Sequence, residues 1–170
     1  MDRVNAILRH PRFIRGLERL GQIERTALVE GDYTFCNHGM DHLLDVARIA
    51  YALCLESERL PTPEGSNEKE LVYAAALLHD AGRARQYEDG TPHEVESARI
   101  AAEMLPECGF DEAETGLILD AILAHRTREG AVRFGIAEYI YKADKLSRRC
   151  FDCAAADACD WEIKNSVLVY

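Results

Sequence analysis

An unbroken apolar run, Ala74-Ala75-Ala76-Leu77-Leu78, passes directly into His79-Asp80. A segment this apolar is driven inside, and it carries an imidazole and a carboxylate with it. Such groups are costly to bury unless something pairs with them. A helix end meets that demand if Asp80 reaches solvent and His79 is hydrogen-bonded. A divalent cation also meets it, because imidazole and carboxylate together suit iron, manganese or zinc. The pair is not isolated. His42 lies upstream, and His93, His125 and Asp144 lie downstream, each in a segment with helical apolar spacing.

That spacing recurs along most of the chain and predicts an all-α fold. Met1 to Glu30 reads as a short helix and a longer one. Pro11 falls at the start of the second, where proline is tolerated, with Phe13, Leu17 and Leu20 at helical intervals. This pair is expected to form an arm that covers the core. Gly31 to Asn37 reads as a loop. Asp41 to Glu58 carries a broad apolar face, Leu44, Ala47, Ile49, Ala50, Leu53 and Cys54. Pro61 to Asn67 is the clearest loop. Asn67 and Glu70 have capping-box spacing for the next helix, which is expected to run to about Ala81 and leave at Gly82.

Gln86 to Thr91 reads as a polar connection. Pro92 to Leu105 reads as a helix with Val95, Ala98, Ala101 and Ala102 inward. Phe110 to His125 and Ile136 to Ser147 complete the helices, with a charged loop from Arg126 to Phe134 between them. Only Ser166 to Tyr170 has β-like composition, and it is too short to define a sheet.

A chain of 170 residues, 48% of them hydrophobic, fits one domain with a sizeable core. The formal net charge of −10 argues against a duplex nucleic-acid surface, where a basic footprint is expected. A small phosphorylated ligand stays compatible, because bound metal can reverse the local field. No apolar run approaches the ~18 residues of a membrane span, so no membrane partner is expected. Met1 to Leu20 has no signal-peptide core. The expected location is the cytoplasm, where the six cysteines would be reduced or metal-bound rather than paired.

The order His42…His79-Asp80…Asp144 resembles the HD superfamily of metal-dependent phosphohydrolases. The matching pieces are His42-Leu43-Leu44-Asp45-Val46, Leu77-Leu78-His79-Asp80-Ala81-Gly82-Arg83 and Lys142-Ala143-Asp144-Lys145-Leu146-Ser147. Pro92-His93-Glu94 through Ser97-Ala98, and Ala121 through Thr127 around His125, resemble the additional histidines of two-metal members. Those members include bacterial hydrolases of diadenosine tetraphosphate.

The resemblance implies a single domain over residues 1–170. It has an HD-like core at about 38–147 and a cysteine-containing cap at 148–170. It implies that His42, His79, Asp80 and Asp144 hold one ion, and that Asp80 bridges to a second held by His93 and His125. The cofactor would be one or two divalent ions, Fe or Mn, with Zn, Ni, Co and Mg as further candidates. His79 and Asp80 would be central to catalysis. A metal-activated water would attack phosphorus, with the two ions about 3.5–4 Å apart. The implied partner is a small phosphorylated substrate, a nucleotide or another phosphate ester. A homodimer is compatible with this reading.

Three basic or imidazole side chains join the set as substrate contacts. His38 stands one turn before His42 and can serve as a ligand, a substrate contact or a surface residue; a substrate contact or a brace for a ligand is favoured. Arg83 takes the place of a lysine common after the family's His-Asp pair. Its fork can clamp a phosphate or form a surface ion pair, and Arg126 beside His125 divides the same way. Cys150, Cys153 and Cys159 are spaced like metal ligands, but zinc and iron–sulfur sites want four. Cys36 is the one candidate for a fourth, and the favoured reading is a structural cap. Two rival functions share the ligand set: a nucleotide-binding sensor with little turnover, and an HD-type di-iron oxygenase.

Overall fold

The fold is described from a computed structural model, which covers residues 1–30, 38–57, 62–127, 135–153, 156, 157, 159, 164, 165, 167, 168 and 170. Among these residues the chain is all-α, with eight helices and no strand. They are α1 (Asp2–Arg9), α2 (Pro11–Glu30), α3 (Met40–Glu56), α4 (Glu68–Leu78), α5 (Arg83–Asp89), α6 (His93–Glu107), α7 (Glu112–Ala124) and α8 (Ile136–Leu146). A short 3₁₀ turn, Cys150–Asp152, follows α8.

The apolar run explains the architecture. Every residue from Glu70 to Leu78 except Tyr73 is buried, and a helix that is apolar all round must be surrounded. Accordingly α4 is the hub, touching α1, α3, α6, α7 and α8. Asn67 caps it by accepting from the Glu70 N–H at 3.2 Å. The N-terminal arm lies over the bundle, with α1 against α4 and α2 against α5. Arg3 fastens it: its Nε donates to Glu70 at 2.8 Å and its Nη1 to Glu114 at 2.5 Å.

Several local expectations differ from the structure. The helix expected to reach Ala81 stops at Leu78. The chain then makes tight turns, with Ala81 N–H on Leu78 O and Arg83 N–H on Asp80 O. Gly82 does not end α4 in a left-handed conformation; it has φ −88° and starts α5. The stretch read as a polar connection is mostly this extra helix, closed by Gly90 at φ 80°. In α6 the inward stripe is Ser97, Ala98, Ala101, Met104 and Leu105. Val95 is exposed and so is Ala102, seven residues on, because both lie on a stripe turned away from the bundle. The loop at 31–37 and most of the charged loop at 126–134 lie outside the described residues.

Candidate metal centre

The polar side chains arrive from the ends of five helices. His42 is in the first turn of α3, and His79 and Asp80 follow α4. His93 opens α6, His125 follows α7, and Asp144 is in the last turn of α8. His79, Asp80, His93, His125 and Asp144 are buried. Helix ends suit this task because rigid elements hold side chains more closely than loops do.

Asp80 is the centre of the cluster, and its two oxygens face different partners. Oδ2 lies 3.5 Å from His79 Nε2 and 3.7 Å from His42 Nε2. Oδ1 lies 3.1 Å from His93 Nε2 and 3.8 Å from His125 Nε2. Two groups of potential ligands result, His42–His79–Asp80 and Asp80–His93–His125, each with its ligand atoms within 4.8 Å of one another. Asp144 Oδ1 adds to the first group, 3.6 Å from His42 Nε2 and 4.0 Å from His79 Nε2.

The chemistry of this donor set can be tested for fit to a cation. His79 Nδ1 faces Ala76 O at 2.7 Å and His125 Nδ1 faces Ile122 O at 2.6 Å. A carbonyl oxygen only accepts, so both Nδ1 atoms carry the proton. Ser147 Oγ donates to Asp144 O at 3.0 Å and therefore accepts from His42 Nδ1 at 3.3 Å. Gln86 Oε1 accepts from Arg83 Nη1 at 3.4 Å and from His93 Nδ1 at 2.5 Å. All four imidazoles are thereby held as the tautomer with a lone pair on Nε2. Those lone pairs converge on each other and on carboxylate oxygens. His93 Nε2 and His125 Nε2 are only 3.0 Å apart, and His42 Nε2 and His79 Nε2 are buried without a hydrogen-bond partner. Buried imidazole lone pairs with no hydrogen-bond donor to meet, gathered beside two carboxylates, fit divalent cations. Anchoring the far ring nitrogen is how metal-binding histidines are oriented.

The electrostatics favour the neutral, ligand-ready form. Burial, reinforced by His79, lowers the His42 imidazole to about 4 and the His125 imidazole to about 3. Burial also lowers His93. Burial opposes ionisation of Asp144, but the adjacent Lys145 ammonium together with His79 and His42 outweighs it and holds the carboxyl below its ordinary range.

The remaining candidates divide. Arg83 Nη2 lies 3.1 Å from Asp80 Oδ1 and 3.2 Å from Oδ2, at the edge of the centre. Arg126 is exposed and pairs with Glu94 at 3.3 Å, so it stands outside the cluster. His38 is buried, with its ring centroid 5.6 Å from that of His42, and its backbone N–H donates to Glu24 Oε1 at 3.2 Å. With Asp80 it lines a cavity of about 30 Å³, walled by Phe13, Leu17 and Leu20. Cys150, Cys153 and Cys159 are free thiols and form no metal-binding group among the described residues, while Cys36 lies outside those residues.

Gln86, Ser147, Lys145 and Glu24 escaped the sequence reading as parts of the site. Gln86 was findable. Arg83-Ala84-Arg85-Gln86-Tyr87-Glu88-Asp89 is rich in helix formers and is followed by Gly90, a helix-stop signal. On such a helix Arg83 and Gln86 share a face.

An all-helical bundle with a buried His/Asp centre of this order defines the class. A profile of the HD domain matches residues 39–162, and the chain belongs to that family. The chain is 41% identical over 172 residues to an uncharacterized protein of Clostridium beijerinckii, with both chains covered in full. It is 37% identical over 76 residues to a bifunctional uridylyltransferase/uridylyl-removing enzyme of Nitrobacter winogradskyi, covering 45% of this chain and 8% of that one. Among solved structures, a predicted HD superfamily hydrolase from an uncultured Thermotogales bacterium matches with a TM-score of 0.57. The identity is 23%, over 93% of this chain and 79% of that one. This likeness shows a common fold.

Proposed function

We propose that this protein is a metal-dependent phosphohydrolase that cleaves a nucleotide or another small phosphate ester with a metal-activated water. One observation carries the reading: four imidazoles, each fixed at Nδ1, aim Nε2 at the two oxygens of Asp80. His42, His79, Asp80 and Asp144 would hold one ion, and Asp80, His93 and His125 a second. Bound divalent ions supply Lewis acidity toward phosphoryl oxygens and lower the pKa of water to about 7. The family adds support, and so does the local likeness to an enzyme whose name describes removal of a nucleotidyl group.

The chain's own residues do the rest. The two Asp80 oxygens address both ligand groups at once. Arg83 places a guanidinium beside that carboxylate, where a phosphate oxygen can be clamped. Lys145 and Arg148 sit on the outer oxygen of Asp144. These cations matter because a chain of net charge −10 repels phosphate unless the local field is reversed.

The test is metal analysis of anaerobically purified protein, followed by a phosphate-release screen over nucleotides with and without chelator. Turnover that needs Mn or Fe, and transfer of label from heavy-oxygen water to the product phosphate, are expected. If the fully metallated protein turns over nothing yet binds one of these compounds tightly, a sensor role replaces this reading. Oxygen-dependent turnover would replace it with an oxygenase.

A further inference from the structure

We infer that the groove between α3, the end of α8 and the C-terminal segment binds the nucleoside part of the substrate. This rests on the phosphohydrolase reading and adds a substrate class to it. The groove has a volume of about 410 Å³, within the ~300–1,000 Å³ typical of small-molecule sites.

Its walls combine two kinds of side chain. Phe151, Val167, Leu168 and Tyr170 line it, and all four are large hydrophobic groups left exposed, Leu168 by 73%. Apolar groups gathered in one patch mark a binding surface, whereas isolated ones are ordinary. Among the described residues the same groove is lined by Arg48, Arg148 and Arg149 and by the carboxylate of Asp45, which lies 3.6 Å from Arg48 Nη1; Tyr170 donates to Glu56 at its edge at 2.9 Å. Three guanidiniums lining the same groove as Phe151 and Tyr170, on a chain of net charge −10, complement an anion with a flat apolar body. Aromatic faces stack on bases, and arginine adds cation–π attraction.

The groove also adjoins the centre. Ser147 lines it while its hydroxyl holds His42 Nδ1 at 3.3 Å. Arg148 lines it while its Nη2 lies 3.8 Å from Asp144 Oδ2. A phosphate at Asp144 therefore has a basic neighbour that leads toward the apolar walls. The outer wall is held in place by Asn165, whose Nδ2 donates to Lys145 O and Arg148 O at 2.8 Å each. Lys145 is in the last turn of α8 and Arg148 lies two residues beyond its end. A second copy of the chain is the poorer occupant, because a twofold interface sets a patch against itself and would bring these arginines together.

The experiment uses the full chain loaded with Mn²⁺ and titrates two probes calorimetrically: methylene-bridged ADP, which resists hydrolysis, and inorganic phosphate. Arg149→Ala and Phe151→Ala should each weaken the ADP analogue at least tenfold. Phosphate affinity, Mn content and helicity should stay at wild-type levels. Arg48→Ala, on the exposed face of α3, is a further variant that keeps the test open if a tail variant misfolds. Equal affinity for the analogue across wild type and variants overturns the proposal, as does a wild type that fails to bind it at millimolar concentration. A dimer that Phe151→Ala dissociates, with analogue affinity unchanged, would assign the groove to a second copy and also overturn it. Groove-dependent binding without turnover of any phosphate ester would sink the hydrolase reading and leave the groove standing.

Discussion

A Cβ placed on Gly82 would lie 2.6 Å from the carbonyl oxygen of His93. The same Cβ would meet Ser97 N at 2.6 Å and Glu96 Cβ at 2.7 Å, while the Gly82 N–H donates to Ser97 Oγ at 2.8 Å. The turn that follows Asp80 is thus pressed directly on the first turn of α6. This contact sets the distance between Asp80 and His93, and only a residue without a side chain permits it.

Gly82→Ala should therefore act on stability and on the second ion together. The atoms in the way are mostly backbone, so α6 must move. Overpacking of this kind costs about 1–3 kcal/mol. Denaturant unfolding should show that loss, and Mn²⁺ titration should show the weaker site failing first. A variant with wild-type stability and two full-affinity sites would contradict the packing argument.

Gln86 should control the His93 site without being a ligand. Its Oε1 accepts a hydrogen bond from the His93 Nδ1–H at 2.5 Å, which leaves Nε2 free to bind metal. Supporting hydrogen bonds of this type are worth about 10–100-fold in metal affinity. Gln86→Leu should weaken one ion by that factor and spare the other, and Gln86→Glu should restore it. Equal stoichiometry and affinity in Gln86→Leu would rule the role out.

Asp80→Ala should empty both groups, because each depends on one Asp80 oxygen. The expected protein is helical by circular dichroism, contains no stoichiometric metal and has no metal-dependent turnover. Elemental analysis decides the point: full occupancy in this variant is incompatible with the ligand assignment.

Glu70 should make folding sensitive to acid. Burial works to raise its carboxyl, but hydrogen bonds from Arg3 and from the Met1 ammonium, 3.0 Å away, together outweigh this and hold it below the usual 4.5. A carboxyl depressed in the folded state contributes stability above its unfolded pKa, and the contribution fades as pH falls through the folded value. Glu70→Gln should cost about 1–3 kcal/mol at pH 7, as for a buried partner left unsatisfied. The gap between wild type and variant should narrow steadily below pH 4.5. A gap independent of pH would show that Glu70 contributes through packing alone and not through its pairing with Arg3 and the Met1 ammonium.

The helical class was legible in the sequence, because apolar residues at three- and four-residue spacing report which face of a local segment turns inward. The unbroken run at Ala74–Leu78 likewise marked a segment driven inside, carrying His79 and Asp80 with it. The order of His42, His79-Asp80, His93, His125 and Asp144 pointed to a His/Asp centre before any packing was known. Periodicity describes one segment at a time, however, and could not say that α4 stops at Leu78 or that α5 exists. It could not place Val95 outside and Ser97 inside. Nor could it tell that Arg126 would pair with Glu94 while Arg83 met Asp80. Those outcomes depend on how helices distant in sequence cross. So does the division of the Asp80 oxygens between two groups of histidines, and so does the capture of each Nδ1 by Ala76, Ile122, Ser147 or Gln86. The sequence determined which groups were available and which helices would bury them. Tertiary packing decided their directions, because a side chain's aim is set by the close contacts of its whole helix, such as that of Gly82 on His93.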